Sequence, residues 1–439
     1  MMEGEDFLRQ KLGSTLVLLL CFCLLMACSN NAELDENTEA ASISVLYYDE
    51  SSFFQMYGDL IRAEFPNLTL VVIPTKGLDT NQVEELMEQK QPDLMVIDNL
   101  GLFSRLINDG KLASLELESD KPFKFAEINP IIIDSLKEIA NGKLYGLVPF
   151  FNSRALFYNK KLFDDNGIDY PKDGMTWQEV VQLSARFSEA KDSYGLDPWS
   201  SEIDFTLNVV GKTANLSIMQ EQRLKVHLNT KEWRDVFELT TEAFKSGALY
   251  EAENGASKPN ISLEELINGD VFLTGKAAIA YRSPNFMAQL EGTDVEWGVV
   301  SQPISELNPG RASGMSFNEI IAVNNRAENK DLVMKVFKYM NGSEMTRIRS
   351  RQLLGLPART LDTYGGRDIS SLYRLKPNLD IEDQSNIPIE FWDEFYMKSN
   401  ELLALVKQDK ASVEEMLTQL QSWTEQTIRV YVRSGKIKQ

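Results

Sequence analysis

The sequence predicts an α/β protein of two lobes, each a mainly parallel sheet flanked by helices. Three observations lead there. At 439 residues the chain exceeds what a single hydrophobic core ordinarily serves, so two bodies are expected. Over residues 43–112 short apolar runs of strand length alternate with helically spaced stripes, the pattern of βαβ units around a parallel sheet. Between residues 141 and 187 two apolar runs enclose Phe150, Phe151, Asn152, Ser153 and Arg154. Two aromatics and three polar side chains between buried strands suit a passage from one lobe to the other beside a binding cleft.

Taken in order, residues 43–48 form the first strand, which ends at Asp49-Glu50-Ser51-Ser52, and a helix follows to Glu64. Residues 68–73 are the next strand, and residues 82–90 a helix with Val83, Leu86 and Met87 on one side. Residues 93–97 are a third strand running out at Asp98-Asn99, with Leu102, Leu106 and Ile107 striping the helix behind it. Ligands of such sheets gather beyond the carboxyl ends of the strands. Tyr47, Tyr48, Asp49, Asp98 and Asn99 are therefore where the first lobe would present ligand contacts.

The passage itself begins at the Asn141-Gly142 turn, runs through residues 144–148 to Pro149, and continues as a strand over residues 155–158. A short helix opening at Asn159-Lys160-Lys161 stops at Asn166-Gly167. Thr176 and Glu179 have the spacing of a capping box, and Trp177, Val180, Val181 and Phe187 fall near one face of the helix they open. Residues 194–199 read as a turn that leaves Trp199 near an exposed break. Trp233, Val236, Phe237 and Phe244 stripe a helix ending at Gly247, and Ser262 with Glu265 repeats the capping-box spacing. Residues 276–281 are a buried strand, followed directly by the loop Tyr281-Arg282-Ser283-Pro284-Asn285.

Residues 295–300 are strand-like, and Pro303 marks the return to the first lobe. Ser316 lies in a polar, glycine-containing loop over residues 311–317, ahead of a strand at residues 319–323. Val333, Val336, Phe337 and Met340 then have the i, i+3, i+4, i+7 spacing of a packed helix. Gly355-Leu356-Pro357-Ala358-Arg359 reads as a rigid turn carrying a base. The closing helix is capped by Ser412 with Glu415 and striped by Met416, Leu417, Leu420 and Trp423. The expected division assigns residues 43–150 and 303–345 to the first lobe and residues 151–302 and 346–439 to the second.

The N-terminus reads as an export signal. Arg9 and Lys11 precede an apolar run over residues 16–27, shorter than the ~20 residues a bilayer-spanning helix needs and of the length of a secretory hydrophobic region. Leu25-Met26-Ala27-Cys28 is similar to a bacterial lipobox, which makes residues 1–27 a lipoprotein signal peptide and Cys28 the lipidated first residue of the mature chain. Two acyl chains, of the palmitate type, satisfy the two anchoring signals that stable membrane attachment takes. Residues 28–42 are polar and aperiodic, a flexible tether. Of Cys21, Cys23 and Cys28 only the last survives cleavage, so no disulfide is expected. The formal charge of −20 argues against nucleic acid, whose phosphates call for clustered Lys and Arg.

The succession Tyr145-Gly146-Leu147-Val148-Pro149-Phe150, then Leu156-Phe157-Tyr158-Asn159-Lys160, Leu162-Phe163, Gly167-Ile168 and Thr176-Trp177 resembles the extracellular solute-binding proteins of sugar-type ABC importers, the maltose-binding-protein-like family 1. Pro92-Asp93 through Leu112, Gly275-Lys276-Ala277-Ala278-Ile279-Ala280, the helix over residues 329–340 and the turn ending at Arg359 extend the resemblance over most of the mature chain. It implies a type II periplasmic-binding-protein-like fold, with a multi-strand hinge and closure on a sugar held between the lobes. It also implies a lipid-anchored, monomeric binding component at the extracytoplasmic face of the membrane, as in a Gram-positive bacterium, serving ABC permease subunits. In relatives a polar sugar contact falls near Asn152, where some carry an acid, and a tryptophan-containing loop falls at Tyr281 and Arg282, where this chain has no tryptophan.

Catalysis has little to work with. His227 is the only histidine, and no cofactor is implied. A zinc site draws on a set of His, Cys and carboxylate ligands, no EF-hand loop is present, and no Gly-x-Ser-x-Gly elbow appears. The adjacent carboxylates Glu84-Glu85, Asp164-Asp165 and Glu264-Glu265 point in different directions on a helix and are solvated faces. Binding is better provided for. Aromatic faces bury the C–H faces of a sugar while Asp, Asn and Arg fix its hydroxyls. Tyr48, Phe151, Trp199, Tyr281 and Trp392 are candidate platforms; Asp49, Asp98, Asn99, Asn152, Arg282, Ser316 and Arg359 are candidate polar contacts. The expectation is a non-enzymatic binding protein. The alternative is a surface lipoprotein acting as a sensor partner or carbohydrate-active enzyme on a similar bilobal scaffold.

Overall fold

The computed structural model describes residues 41–117, 120–188, 193–220, 223–251, 268–317, 319–350, 355–379 and 387–437. The expected export signal, Cys28, the expected tether up to residue 40 and the expected Ser262–Glu265 cap lie outside the described residues; Ala41 and Ser42, expected in the tether, open the first strand. The chain opens with β1 (Ala41–Tyr47), β2 (Leu68–Pro74) and β3 (Leu94–Ile97), each followed by helix. It then passes through β4 (Gly146–Leu147), β5 (Phe150–Phe151), β6 (Ala155–Asn159) and β7 (Tyr194–Asp197). After a helical stretch come β8 (Ala277–Arg282), β9 (Trp297–Ser301), β10 (Ile320–Val323) and β11 (Leu356–Pro357), and two long helices close the chain, Ile389–Lys407 and Val413–Arg433.

Local signals set the helix starts. Thr176 accepts from the Glu179 backbone while the Glu179 carboxylate accepts from the backbone of Thr176, and Ser412 with Glu415 does the same. Both reciprocal caps satisfy donors that a first helical turn leaves unpaired. Asp79 and Gln82 form a third capping box. The helix after β1 runs through Glu50–Phe53, a π turn at Phe54–Gly58 and on through Asp59–Glu64.

Two sheets organise the lobes. The first has the order β2-β1-β3-β10-β4 and the second β9-β6-β8-β7. Both are mixed where mainly parallel sheets were expected: β1 runs parallel to β2 and β3, but β10 is antiparallel to β3 and β4. In the second sheet only β8 and β7 are parallel. The reason is the crossing. A strand that returns from the other lobe enters its sheet at the end where β3 leaves, so it runs the opposite way. Incoming β6 and outgoing β9 are opposed for the same reason.

Between the sheets the chain makes three passes. β5 pairs antiparallel with β11, and Asn152 forms a bridge with Ser316. This is the multi-strand hinge. Residues 355–379 pack Leu356, Ile369, Leu372 and Tyr373 into the same core as the first sheet, and Arg367 lies over Trp297 of the second.

The second sheet is buried on both faces, and alternation along its strands decides which side chain goes where. Phe157, Ala280, Trp297 and Val299 join the core that includes the first lobe. Leu156, Ile279, Tyr281 and Val300 point the other way, into a core with Trp177, Trp233 and the two closing helices. Three sequence readings change at this level. Residues 194–197, expected as a turn, are the edge strand β7; Arg282, expected only in the loop after the strand at residues 276–281, is the last residue of β8; and the turn before Arg359 contains β11. In each case a short run gains its strand character from a partner far along the chain. Among the described residues no helix is long and apolar enough to cross a membrane.

Candidate functional site

Strand register identifies which ends of the two sheets face the crossing. Ala155, the first residue of β6, pairs with both Arg282 and Ser301, and Asp197 pairs with Ala280. The carboxyl ends of β7 and β8 therefore lie at the edge where the chain enters and leaves the second lobe, and they carry Trp199 and Arg282 there. In the first sheet Ile97 pairs with Ile320, where β10 arrives, and Leu46 pairs with Met95 beside it. The carboxyl ends of β1 and β3 thus bring Tyr48, Asp49, Asp98 and Asn99 to the same junction. Asn152 and Ser316 exchange two backbone hydrogen bonds of 3.0 Å at the hinge, with both residues exposed.

Each of these side chains has a definite setting. Tyr48 is exposed, with the Lys76 ammonium 5.5 Å from its ring. Asp49 accepts from the Ser52 backbone at 2.8 Å, which holds its carboxyl below the usual range, with Lys76 3.9 Å away. Asn99 caps its helix through Leu102 at 2.8 Å, and Asp98 is exposed. Trp199 is 53% exposed although its neighbour Arg282 is only 4% exposed. The Arg282 guanidinium pairs with Asp197 at 2.5 Å and Asp270 at 3.1 Å. Burial pushes the Asp197 carboxyl up despite that arginine.

A bacterial extracellular solute-binding protein family model matches residues 49–346, which spans β1's end through the return to the first lobe. The chain belongs to that family. A binding protein of Brucella abortus is 24% identical over 298 residues, covering 66% of this chain and 68% of its own. Among solved structures, a family 1 extracellular solute-binding protein from Alicyclobacillus acidocaldarius superposes with a TM-score of 0.63 at 12% identity, covering 89% of this chain and 99% of its own. An ABC substrate-binding protein from Listeria monocytogenes, in complex with cycloalternan, gives a TM-score of 0.52 at 19% identity, with 89% and 99% covered. These structures share the two-lobed periplasmic-binding-protein fold.

Four other candidates have a different placement in this solute-binding protein. Phe151 is buried at the hinge edge-on to Tyr373, 5.7 Å away. Tyr281 is buried against Trp177, and that burial pushes its hydroxyl well above the usual range. Arg359 donates to the carbonyls of Phe123, Lys124 and Asn341 and to Glu127. Trp392 sits in the first turns of a closing helix against Phe391 and Phe395.

The junction also holds a cluster that sequence reasoning missed. Glu319, at the entry to β10, accepts from Tyr47 at 3.1 Å and Tyr57 at 2.6 Å. Arg349 lies 3.4 Å from the same carboxylate, over the rings of Tyr57 and Phe150. Only the position of Tyr47 at a strand end hinted at it. Asp270, the second partner of Arg282, gave no signal either.

A groove of about 580 Å³ lies on the second lobe, between residues 223–226 and the last helix, lined by Leu224, Val226, Ile428 and Val432 with Arg223 and Arg433. It contains none of the junction residues, and its lining comes from residues 223–226 and the last helix alone. Among the described residues no cluster of three or more His, Cys, Asp or Glu is placed to hold a metal ion.

Proposed function

We propose that this solute-binding protein is the lipid-anchored substrate-binding component of an ABC importer, capturing a sugar or oligosaccharide between its lobes and passing it to membrane permease subunits. What supports this reading is strand register, which turns the carboxyl ends of β1 and β3, followed by Tyr48, Asp49, Asp98 and Asn99, and that of β7, followed by Trp199, towards the crossing between the sheets. An exposed indole suits the C–H face of a sugar ring, and carboxylate and amide groups suit its hydroxyls. The Listeria protein of the same fold was solved with cycloalternan.

In this reading Cys28 carries the lipid at the extracytoplasmic face of the membrane. Residues 43–150 with 303–345 form one jaw and residues 151–302 with 346–439 the other, with residues 355–379 lying against both. Ligand contacts to both jaws favour the closed form, because only there are both sets made. Micromolar capture corresponds to about 8 kcal/mol, which one stacked ring and several charge-assisted hydrogen bonds supply after ordering costs.

The test is a thermal-shift and intrinsic-fluorescence screen of the chain from Asn30 onward against mono- and oligosaccharides, with the ligand recovered and analysed afterwards. A raised melting temperature with the sugar recovered intact is expected. Turnover of an oligosaccharide, or no shift with any sugar, would overturn the proposal.

A further inference from the structure

Trp199 combines two features that rarely coexist. It is the most exposed of the six tryptophans, and its backbone is in the left-handed region at φ 52°. A bulky residue adopts that conformation uncommonly, and it persists where the surroundings over-determine it. Here one carboxylate does much of that. Asp197 Oδ1 accepts from the Trp199 backbone N–H at 3.0 Å, while Asp197 Oδ2 accepts from Arg282.

The indole rests on Arg282. The guanidinium carbon lies 4.5 Å from the Trp199 ring centroid and 5.2 Å from that of Phe286. Phe286 is itself buried edge-on against Phe157. The guanidinium cannot swivel, because Nη1 donates to the carbonyls of Asp197 and Tyr281 and Nη2 to the carboxylates of Asp197 and Asp270. A planar cation locked at its edges offers a flat face for an aromatic ring.

We propose that Arg282 is a positioning residue for Trp199: it occupies the inner face of the indole and fixes the ring's tilt, so that the outer face is presented to ligand already ordered. This rests on Trp199 being a ligand platform, as proposed above. Arg282 itself touches no ligand. Its contribution is preorganisation, since a ring held in place before binding loses little freedom on binding. A lysine keeps the charge but has neither the planar face nor the fork that reaches all four acceptors.

The experiment measures acrylamide quenching and emission anisotropy of ligand-free protein, with Trp199→Phe subtracted to isolate the one exposed indole. In Arg282→Lys the Trp199 quenching constant is expected to rise about twofold and its anisotropy to fall, as the ring regains freedom that preorganisation had removed. Asp270→Asn retains the arginine and loosens one of its tethers, so it shifts both quantities the same way by less. Should Arg282→Lys fail to give a cooperative melt, Asp270→Asn decides. A folded variant with Trp199 quenching and anisotropy unchanged would overturn the proposal. Maltotriose titration reports on the other reading separately: altered quenching with affinity indifferent to Trp199→Ala keeps Arg282 as the positioning residue and removes Trp199 from the ligand site.

Discussion

The Tyr57 hydroxyl donates to Oε2 of Glu319 at 2.6 Å, and the same oxygen lies 3.4 Å from Arg349. Tyr57 is fully buried and the Arg349 side chain is 3% exposed, and among the described residues Glu319 is the one acid that forms an ion pair with this cation. Removing one partner of a buried pair leaves an uncompensated charge. Glu319→Gln should therefore cost about 3 kcal/mol in denaturant unfolding, and Tyr57→Phe about 2 kcal/mol for a hydrogen bond to a charged group. Because both act on one carboxylate, the double variant should lose less than the two single losses together. Additive losses would mean that the two side chains act independently.

Arg359 should prove to be a structural residue. Its donors are taken by the carbonyls of Phe123 at 2.8 Å, Lys124 at 3.0 Å and Asn341 at 3.2 Å, with Glu127 at 3.1 Å. A lysine reaches fewer of these from a single nitrogen and leaves buried carbonyls unpaired. Arg359→Lys is expected to lower stability by about 3 kcal/mol while leaving affinity for any sugar found in the screen within about twofold, well under the 1.4 kcal/mol of a tenfold change. Isothermal titration and a melting curve on the same preparation separate the two effects. A large loss of affinity in a fully stable variant would return Arg359 to the ligand site.

The contrast between these clusters and the helix caps explains what was legible in the sequence. The Thr176 and Ser412 capping boxes join residues three apart, and stripes such as Val333, Val336, Phe337 and Met340 repeat within a turn or two, so spacing alone discloses them. The strand ends at Asp49 and Asp98 were likewise marked by polar residues closing apolar runs. By contrast, Arg282 meets Asp197 across 85 positions, and Glu319 meets Tyr47 across 272. No local period encodes such pairs. Arg359 read as a base on a turn and a candidate ligand contact because its acceptors at Phe123 and Lys124 are more than 230 positions away. The mixed sheets were missed for a related reason: strand direction follows from where the chain crosses between lobes, which composition and spacing do not state.

Gly195 is required by close approach, not by its torsion angle. Leu196 donates to the Ala248 carbonyl at 3.0 Å and Tyr250 donates back to Leu196 at 2.8 Å, so residues 248–250 lie tight against β7. A β-carbon at position 195 would strike the backbone carbonyls of both Ala248 and Ser184. Neither can swing aside as a side chain would, and overpacking of this kind costs about 3 kcal/mol. Gly195→Ala should melt well below the parent. Because β7 leads directly into Trp199, its emission should also shift in the native baseline. An unchanged melting temperature would show that the edge strand can move outward freely.

Glu202 gives the protein a pH dependence whose sign can be read directly. Its side chain is 4% exposed, with Lys407 at 3.1 Å, and that lysine also pairs with Glu251 at 2.7 Å. Burial penalises the Glu202 carboxylate more than the lysine favours it, so its pKa is raised above the ordinary 4.5. The folded state then holds this proton more tightly than the unfolded state does. The resulting stabilisation is fully present below about pH 4.5 and is lost as pH rises through the elevated folded value. Glu202→Gln replaces the carboxyl with a neutral group of similar shape and removes this one contribution, while the same upward shift at Asp197 stays in both proteins and cancels. The melting temperature of Glu202→Gln, measured relative to the parent, should therefore climb as pH is raised from about 4.5 towards about 7. A gap that stays constant across that range would mean Glu202 ionises in the folded protein as it does in the unfolded chain, and that Lys407 fully offsets its burial.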